Sequence, residues 1–147
     1  MRRRPLLLAA LLLPLLAAPV RAGGPAPAAP DQAPRFPGVV TVDDARRTVT
    51  VEVPDAPDGA RARRARQGKL LVRNKSGYTV DVYLSLNDET TPWEFIDTLP
   101  SGYLLRVKGL DRGVEYLVGG AVNGESTWSW GPRAFRMGRR FRWTLLP

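Results

Sequence analysis

The side chains best equipped for chemistry in this chain are rings and cations. In STWSWGPR, residues 126 to 133, Trp128 and Trp130 stand two positions apart. On an extended strand, side chains two apart share a face about 6.6 Å from one another, a spacing that suits stacking on a sugar ring and equally suits packing beneath a second sheet. Facing solvent, the pair would make a glycan platform with Tyr83, Arg133 or Asp81 supplying hydrogen bonds and Arg140 as a further candidate binding residue; facing inward, it would be core.

The second candidate is cationic. RARRARQGK carries Arg61, Arg63, Arg64, Arg66 and Lys69, and the tail RAFRMGRRFRW carries Arg133, Arg136, Arg139, Arg140 and Arg142 interleaved with Phe135, Phe141 and Trp143. Cations interleaved with rings are what acidic glycan and single-strand nucleic-acid sites use. The same alternation on a strand also turns arginine to water and rings to the core. Arg61, Arg63, Arg64 and Arg66 are the candidate polyanion contacts, and 61 to 66 reads equally well as a protease-sensitive loop. Nucleic acid is not the expected partner of an exported protein; a cell-wall glycan or another envelope protein is.

Catalytic chemistry finds little support. The chain has no histidine and no cysteine, which removes the usual general base near neutral pH, the usual zinc ligands, thiol nucleophiles and disulfides. The acidic pairs Asp43-Asp44 and Asp88-Glu89 are sequence neighbours, and neighbours on a strand point opposite ways, so neither forms a carboxylate dyad. Within NDETTP, residues 87 to 92, the loop offers a few oxygens and no full calcium ligand set. Ser76, Ser85, Ser101 and Ser126 lack a histidine partner and sit in no Ser-x-x-Lys motif. The expectation is a non-enzyme with no catalytic residues, no metal and no cofactor.

The elements that must position these residues follow from composition. MRRRPLLLAALLLPLLAAPVRA, residues 1 to 22, has a basic start, an apolar run too short and too Pro-broken to span a bilayer, and small residues before the expected cleavage, so it reads as a signal peptide and the protein as periplasmic or secreted. The formal charge of +8 then falls to +4, because Arg2, Arg3, Arg4 and Arg21 leave with the leader. That balance mildly favours anionic partners. Only three lysines accompany the arginines, a bias that a GC-rich genome also produces.

Residues 23 to 38 are Pro, Ala and Gly with little to bury and read as a disordered linker. VVTVDDARRTVTVEVP, 39 to 54, has two alternating runs around Asp43 to Arg47 and reads as an accessory β-hairpin. Residues 55 to 68 form a basic connecting loop. From 69 to 147, turn signals recur every eight to twelve residues or so, which predicts an all-β domain: a small antiparallel β-sandwich of about seven strands. In that domain Asn123-Gly124 signals a type I′ hairpin and Gly131-Pro132 a turn after STWSW. Tyr78, Val80, Val82, Leu84 and Leu86 alternate with Thr79, Asp81, Tyr83 and Ser85, so this strand is expected to be buried on one face only.

TLPSGYLLRVKGLDRGVEYLV, in which Pro-Ser-Gly and Asp-Arg-Gly punctuate short apolar strands, resembles the PEGA-like small all-β modules of bacterial envelope proteins over about residues 69 to 122. The resemblance implies a non-catalytic interaction module and carries no functional residues with it. Together these features predict an exported binding or structural module of the bacterial envelope, with a glycan- or polyanion-binding role as the alternative and an unrecognised enzyme as the second.

Overall fold

The computed structural model describes residues 29, 30, 32–54 and 66–147. The expected signal peptide, the start of the linker and most of the basic loop, with Arg61, Arg63 and Arg64, lie outside the described residues. Nine strands form two sheets: β1 (Val39–Asp43), β2 (Thr48–Glu52), β3 (Gln67–Asn74), β4 (Val80–Leu86), β5 (Glu94–Leu99), β6 (Leu104–Asp111), β7 (Glu115–Val122), β8 (Trp130–Arg136) and β9 (Arg140–Leu145). One sheet has the order β1-β2-β6-β3-β9 and the other β5-β4-β7-β8. No helix among the described residues is long and apolar enough to cross a membrane.

The protein is thus an all-β sandwich. Alternation explains it: Val49 and Val51, Leu70 and Val72, Leu105 and Val107, and Trp143 and Leu145 turn inward from the five-stranded sheet, while Val80, Val82, Leu84, Ile96, Leu99, Tyr116 and Val118 meet them from the other. Each such buried aliphatic side chain contributes about 1.5–3 kcal/mol, enough in sum to hold the domain without disulfides.

Several expectations need correction. The hairpin is not accessory: β2 pairs in parallel with β6, and Val49 and Val51 are core residues. Nor is the five-stranded sheet purely antiparallel, since β3 also pairs in parallel with β9. Parallel neighbours need long crossovers, and the chain supplies them by passing through the second sheet: through β4 and β5 on the way from β2 to β6, and through β4, β5, β7 and β8 on the way from β3 to β9.

The described part of the 23 to 38 stretch is packed, not free. Ala29 and Phe36 are buried; Phe36 N–H donates to Phe95 O at 2.8 Å and Phe95 N–H donates to Pro34 O at 2.9 Å, so this arm lies beside the edge strand β5. A proline fits there because only its carbonyl is needed on an edge.

Gly131-Pro132 falls inside β8 with a cis peptide bond, not in a turn, and of STWSW only Trp130 belongs to a strand, as the first residue of β8. Asn123-Gly124 does turn the chain, with Glu125 N–H donating to Val122 O, but only Gly124 has positive φ, at 85°. Positive φ at the second central position alone is the type II pattern, not type I′. At the far end of the sandwich, fully buried Asn74 ties loops together: its amide donates to Tyr78 O at 2.7 Å and Leu99 O at 2.9 Å, and its Oδ1 accepts from the Ser76 hydroxyl at 2.7 Å and the Ser76 N–H at 3.0 Å.

Candidate anion-binding face

The tryptophan pair does not form a platform. Gly119 and Gly120 in β7 point to opposite sides of the four-stranded sheet, and each leaves room for one indole. A Cβ at Gly119 would overlap the ring of Trp128, on the outer side, whereas a Cβ at Gly120 would lie 3.6 Å from the ring of Trp130, on the core side. The chain crosses from one side to the other because Trp128 stands before β8 begins, so the strand alternation that would align the two rings does not apply there.

Trp128 belongs to a small aromatic cluster on the outer side. Its ring centroid is 4.8 Å from Trp93 and 5.4 Å from Tyr83, which in turn meets Phe95 at 5.5 Å, and Ala29 of the arm and Ala121 complete the cluster. Tyr83 is therefore buried, and β4 is covered on both sides at its centre, contrary to the alternation reading. The indole N–H of Trp128 is buried without a hydrogen-bond partner among the described residues. Trp130 packs against the main core, and its indole N–H donates to Leu146 O at 2.8 Å.

The predicted site residues separate accordingly. Tyr83 and Trp128 meet, Trp130 lies across the sheet from them, and Arg133 stands over Phe141 with its guanidinium carbon 5.5 Å from the ring centroid. Arg66 is exposed just before β3, its carbonyl accepting from Arg112 N–H. Arg140 lands in a different and larger assembly.

That assembly is the outer face of the five-stranded sheet. Leu70, Val72, Leu105, Val107 and Trp143 turn inward, so the intervening residues of β3, β6 and β9 turn outward. Register aligns them: Lys108, Lys69 and Arg140 form one row across the three strands, Arg106, Leu71 and Arg142 a second, and Leu104, Arg73 and Thr144 a third. Lys69, Arg73, Arg106 and Arg142 thus surround Leu71, with Lys108 and Arg140 at two corners. The nine side chains floor an open cavity of about 560 Å³. A patch of three strands by five residues measures about 10 by 13 Å.

None of the six cations makes an ion pair with a described residue; the only two such pairs among the described residues are Arg35–Asp97 at 3.8 Å and Arg46–Asp43 at 3.7 Å. Glu52 lies opposite Lys108 on β2 and is exposed, yet it is not bonded to it. Like charges directly opposite on neighbouring strands destabilise a sheet by a few tenths of a kcal/mol per pair, so this row costs the fold stability. Lysine is often placed on sheet edges to prevent strand pairing, but β3 and β6 are interior strands.

No protein-family model, no curated protein and no solved structure matches the chain.

The face can do one thing chemically: hold negative charge. Arginine offers planar forks to phosphate, sulfate or carboxylate, lysine a mobile point charge, and Leu71 and Leu104 a floor for nonpolar atoms between the anionic groups. Two carboxylates elsewhere, Asp88 and Asp81, are engaged within the fold. In the loop after β4, Asp88 accepts the Thr91 hydroxyl at 2.7 Å, the Thr91 N–H at 2.6 Å, and the Thr90 N–H at 2.9 Å and hydroxyl at 3.1 Å. These bonds, the Thr91 hydroxyl first, lower its pKa to about 2. Across the sheet, Asp81 accepts the Thr98 hydroxyl at 2.6 Å and the Asn123 amide at 3.0 Å. Among the described residues no three His, Cys, Asp or Glu side chains group as metal ligands.

The basic runs of the sequence include Lys69, Arg140 and Arg142 but attach them to residues 61–66 and 133–139, and no run includes Arg73, Arg106 or Lys108. The signal that does connect them is that the nine outward positions flooring the cavity hold six cations and no carboxylate. What joins them is register across strands far apart in the chain, which no local pattern carries.

Proposed function

We propose that this chain is an exported, non-catalytic β-sandwich module that binds an anionic envelope component through the outer face of its five-stranded sheet. The observation that carries the reading is the set of six cations, Lys69, Arg73, Arg106, Lys108, Arg140 and Arg142, gathered in register on one face with no carboxylate partner among the described residues. Side chains placed for stability alone would alternate in sign across strands. Export follows from the leader-like residues 1 to 22, and the absence of histidine and cysteine favours binding over hydrolysis. The PEGA-like resemblance points the same way.

Titration of the full chain with heparin at several salt concentrations tests this. Each anionic contact releases counterions, so the triple variant Lys69→Gln/Arg106→Gln/Arg142→Gln should bind more weakly, with a log–log salt slope shallower by about 2 to 3. An unchanged affinity and slope would remove the face from the reading.

A further inference from the structure

The shape of the cationic array narrows its occupant. Positive charge fills a block three strands wide that is bounded on the β2 side and at the Asp111 end, while at the opposite end exposed Lys75 follows Arg73 just past β3. On the β2 side the next outward residues are Thr48 and Thr50, opposite Leu104 and Arg106, and then Glu52 opposite Lys108. At one end, Asp111 closes β6 opposite Gln67. A long polyanion running along β6 toward Asp111, or across the sheet past Lys108 toward Glu52, would leave the cations and meet carboxylates. Inside the block, Leu71 is a half-buried apolar centre ringed by four cations, and Leu104 adjoins it diagonally. The cavity of about 560 Å³ above them lies in the range of small-ligand sites.

Resting on the anion-binding reading, we infer that the ligand is compact: a group bearing several phosphates or sulfates around a small nonpolar frame, seated over Leu71 with its anionic substituents directed outward to Lys69, Arg73, Arg106 and Arg142. A ring carrying phosphates around its rim has this arrangement, whether free or as the headgroup of a lipid. Lys108 and Arg140 take the substituents at the densely charged end. An extended chain would use only one row or one column at a time and would leave the remaining cations unpaired.

The experiment uses the full chain, inositol hexakisphosphate as a compact probe, and a size series of heparin oligosaccharides. Inositol hexakisphosphate should bind one to one. Oligosaccharide affinity, corrected for overlapping start positions on the longer chains, should stop rising once the sugar is longer than the patch. Leu71→Trp, which fills the centre without altering charge, should weaken inositol hexakisphosphate about tenfold or more, the scale of overfilling a fitted site. Vesicles carrying a polyphosphorylated inositol lipid, competed with the free compound, separate a headgroup from a soluble ligand, and binding in either form supports the proposal. Corrected affinity that keeps climbing with length, or inositol hexakisphosphate binding untouched by Leu71→Trp, overturns compactness and leaves anion binding standing. Absence of binding by every anion overturns both. If Leu71→Trp fails to fold, the length series on the unaltered chain still decides.

Discussion

The two outer faces of this sandwich treat the same problem in opposite ways. On the four-stranded sheet, Trp128, Trp93, Tyr83 and Phe95 build a second apolar layer, and the arm packs on it through Ala29 and Ala33. On the five-stranded sheet nothing among the described residues is laid over β3, β6 and β9, and cations stand where a cover would be. Sequence alternation gives both faces a polar-out pattern at the level of single strands. The difference comes from what the chain returns to cover. A face covered in cis contributes stability; a face left bare, at some cost in like-charge repulsion, is available to a ligand.

Trp128→Ala should have the largest effect. It removes a half-buried indole packed on Tyr83 and Trp93, and truncation of a large aromatic costs about 3–5 kcal/mol when fully buried, so about 2–3 kcal/mol is expected here. Chemical denaturation would measure it, and anion affinity read in parallel should stay within about twofold, since the indole lies on the opposite outer face. A Trp128→Ala chain that kept its stability and lost anion binding would reverse the roles assigned to the two faces.

Next in size is the repulsion on the bare face. Lys69 is the middle of the row Lys108–Lys69–Arg140, so Lys69→Gln relieves two like-charge neighbours at once and should raise stability by about 0.5 kcal/mol at low salt. Screening should erase the gain at high salt. Thermal unfolding at two ionic strengths checks this. A loss of stability in place of a gain would mean that Lys69 is held by partners in the fold and is not spare charge.

The inward faces of the sandwich are legible in the sequence. Val49 and Val51, Leu105 and Val107, and Trp143 and Leu145 announce them by alternation alone, and turn spacing announces a sandwich. Three features are not legible there, each for a physical reason. β2 joins β6 by pairing between segments about 55 residues apart, and the Val/Thr alternation of β2 would fit several partners equally well. Tyr83 reads as solvent-facing because nothing near it in sequence reveals that Trp128 and Ala29 arrive from far along the chain to cover it. Trp128 and Trp130 separate because the strand begins only at Trp130, and the tandem Gly119-Gly120 that seats one ring on each side becomes meaningful only once β7 and β8 are paired.

The smallest expected effect concerns charge that the fold spends internally, the counterpart of the unspent cations. Asp88 is fully exposed, yet four hydrogen bonds from Thr90 and Thr91 hold its pKa at about 2 against an ordinary 3.8. Because the folded value lies below the unfolded one, Asp88 stabilises the fold above about pH 4, and that contribution fades as pH falls toward 2. Asp88→Asn should therefore lower the unfolding midpoint slightly at neutral pH and flatten the acid limb of the stability profile between about pH 4 and 2. Lysine and arginine do not titrate there, so repulsion on the bare face should be the same at both ends of that window, and Lys69→Gln should shift the whole limb without changing its slope. Thermal midpoints of the two single variants and their double across this range read both effects together. A slope change in Lys69→Gln would show that the cationic face communicates with a carboxylate after all, and the contrast between spent and unspent charge would fail at that point.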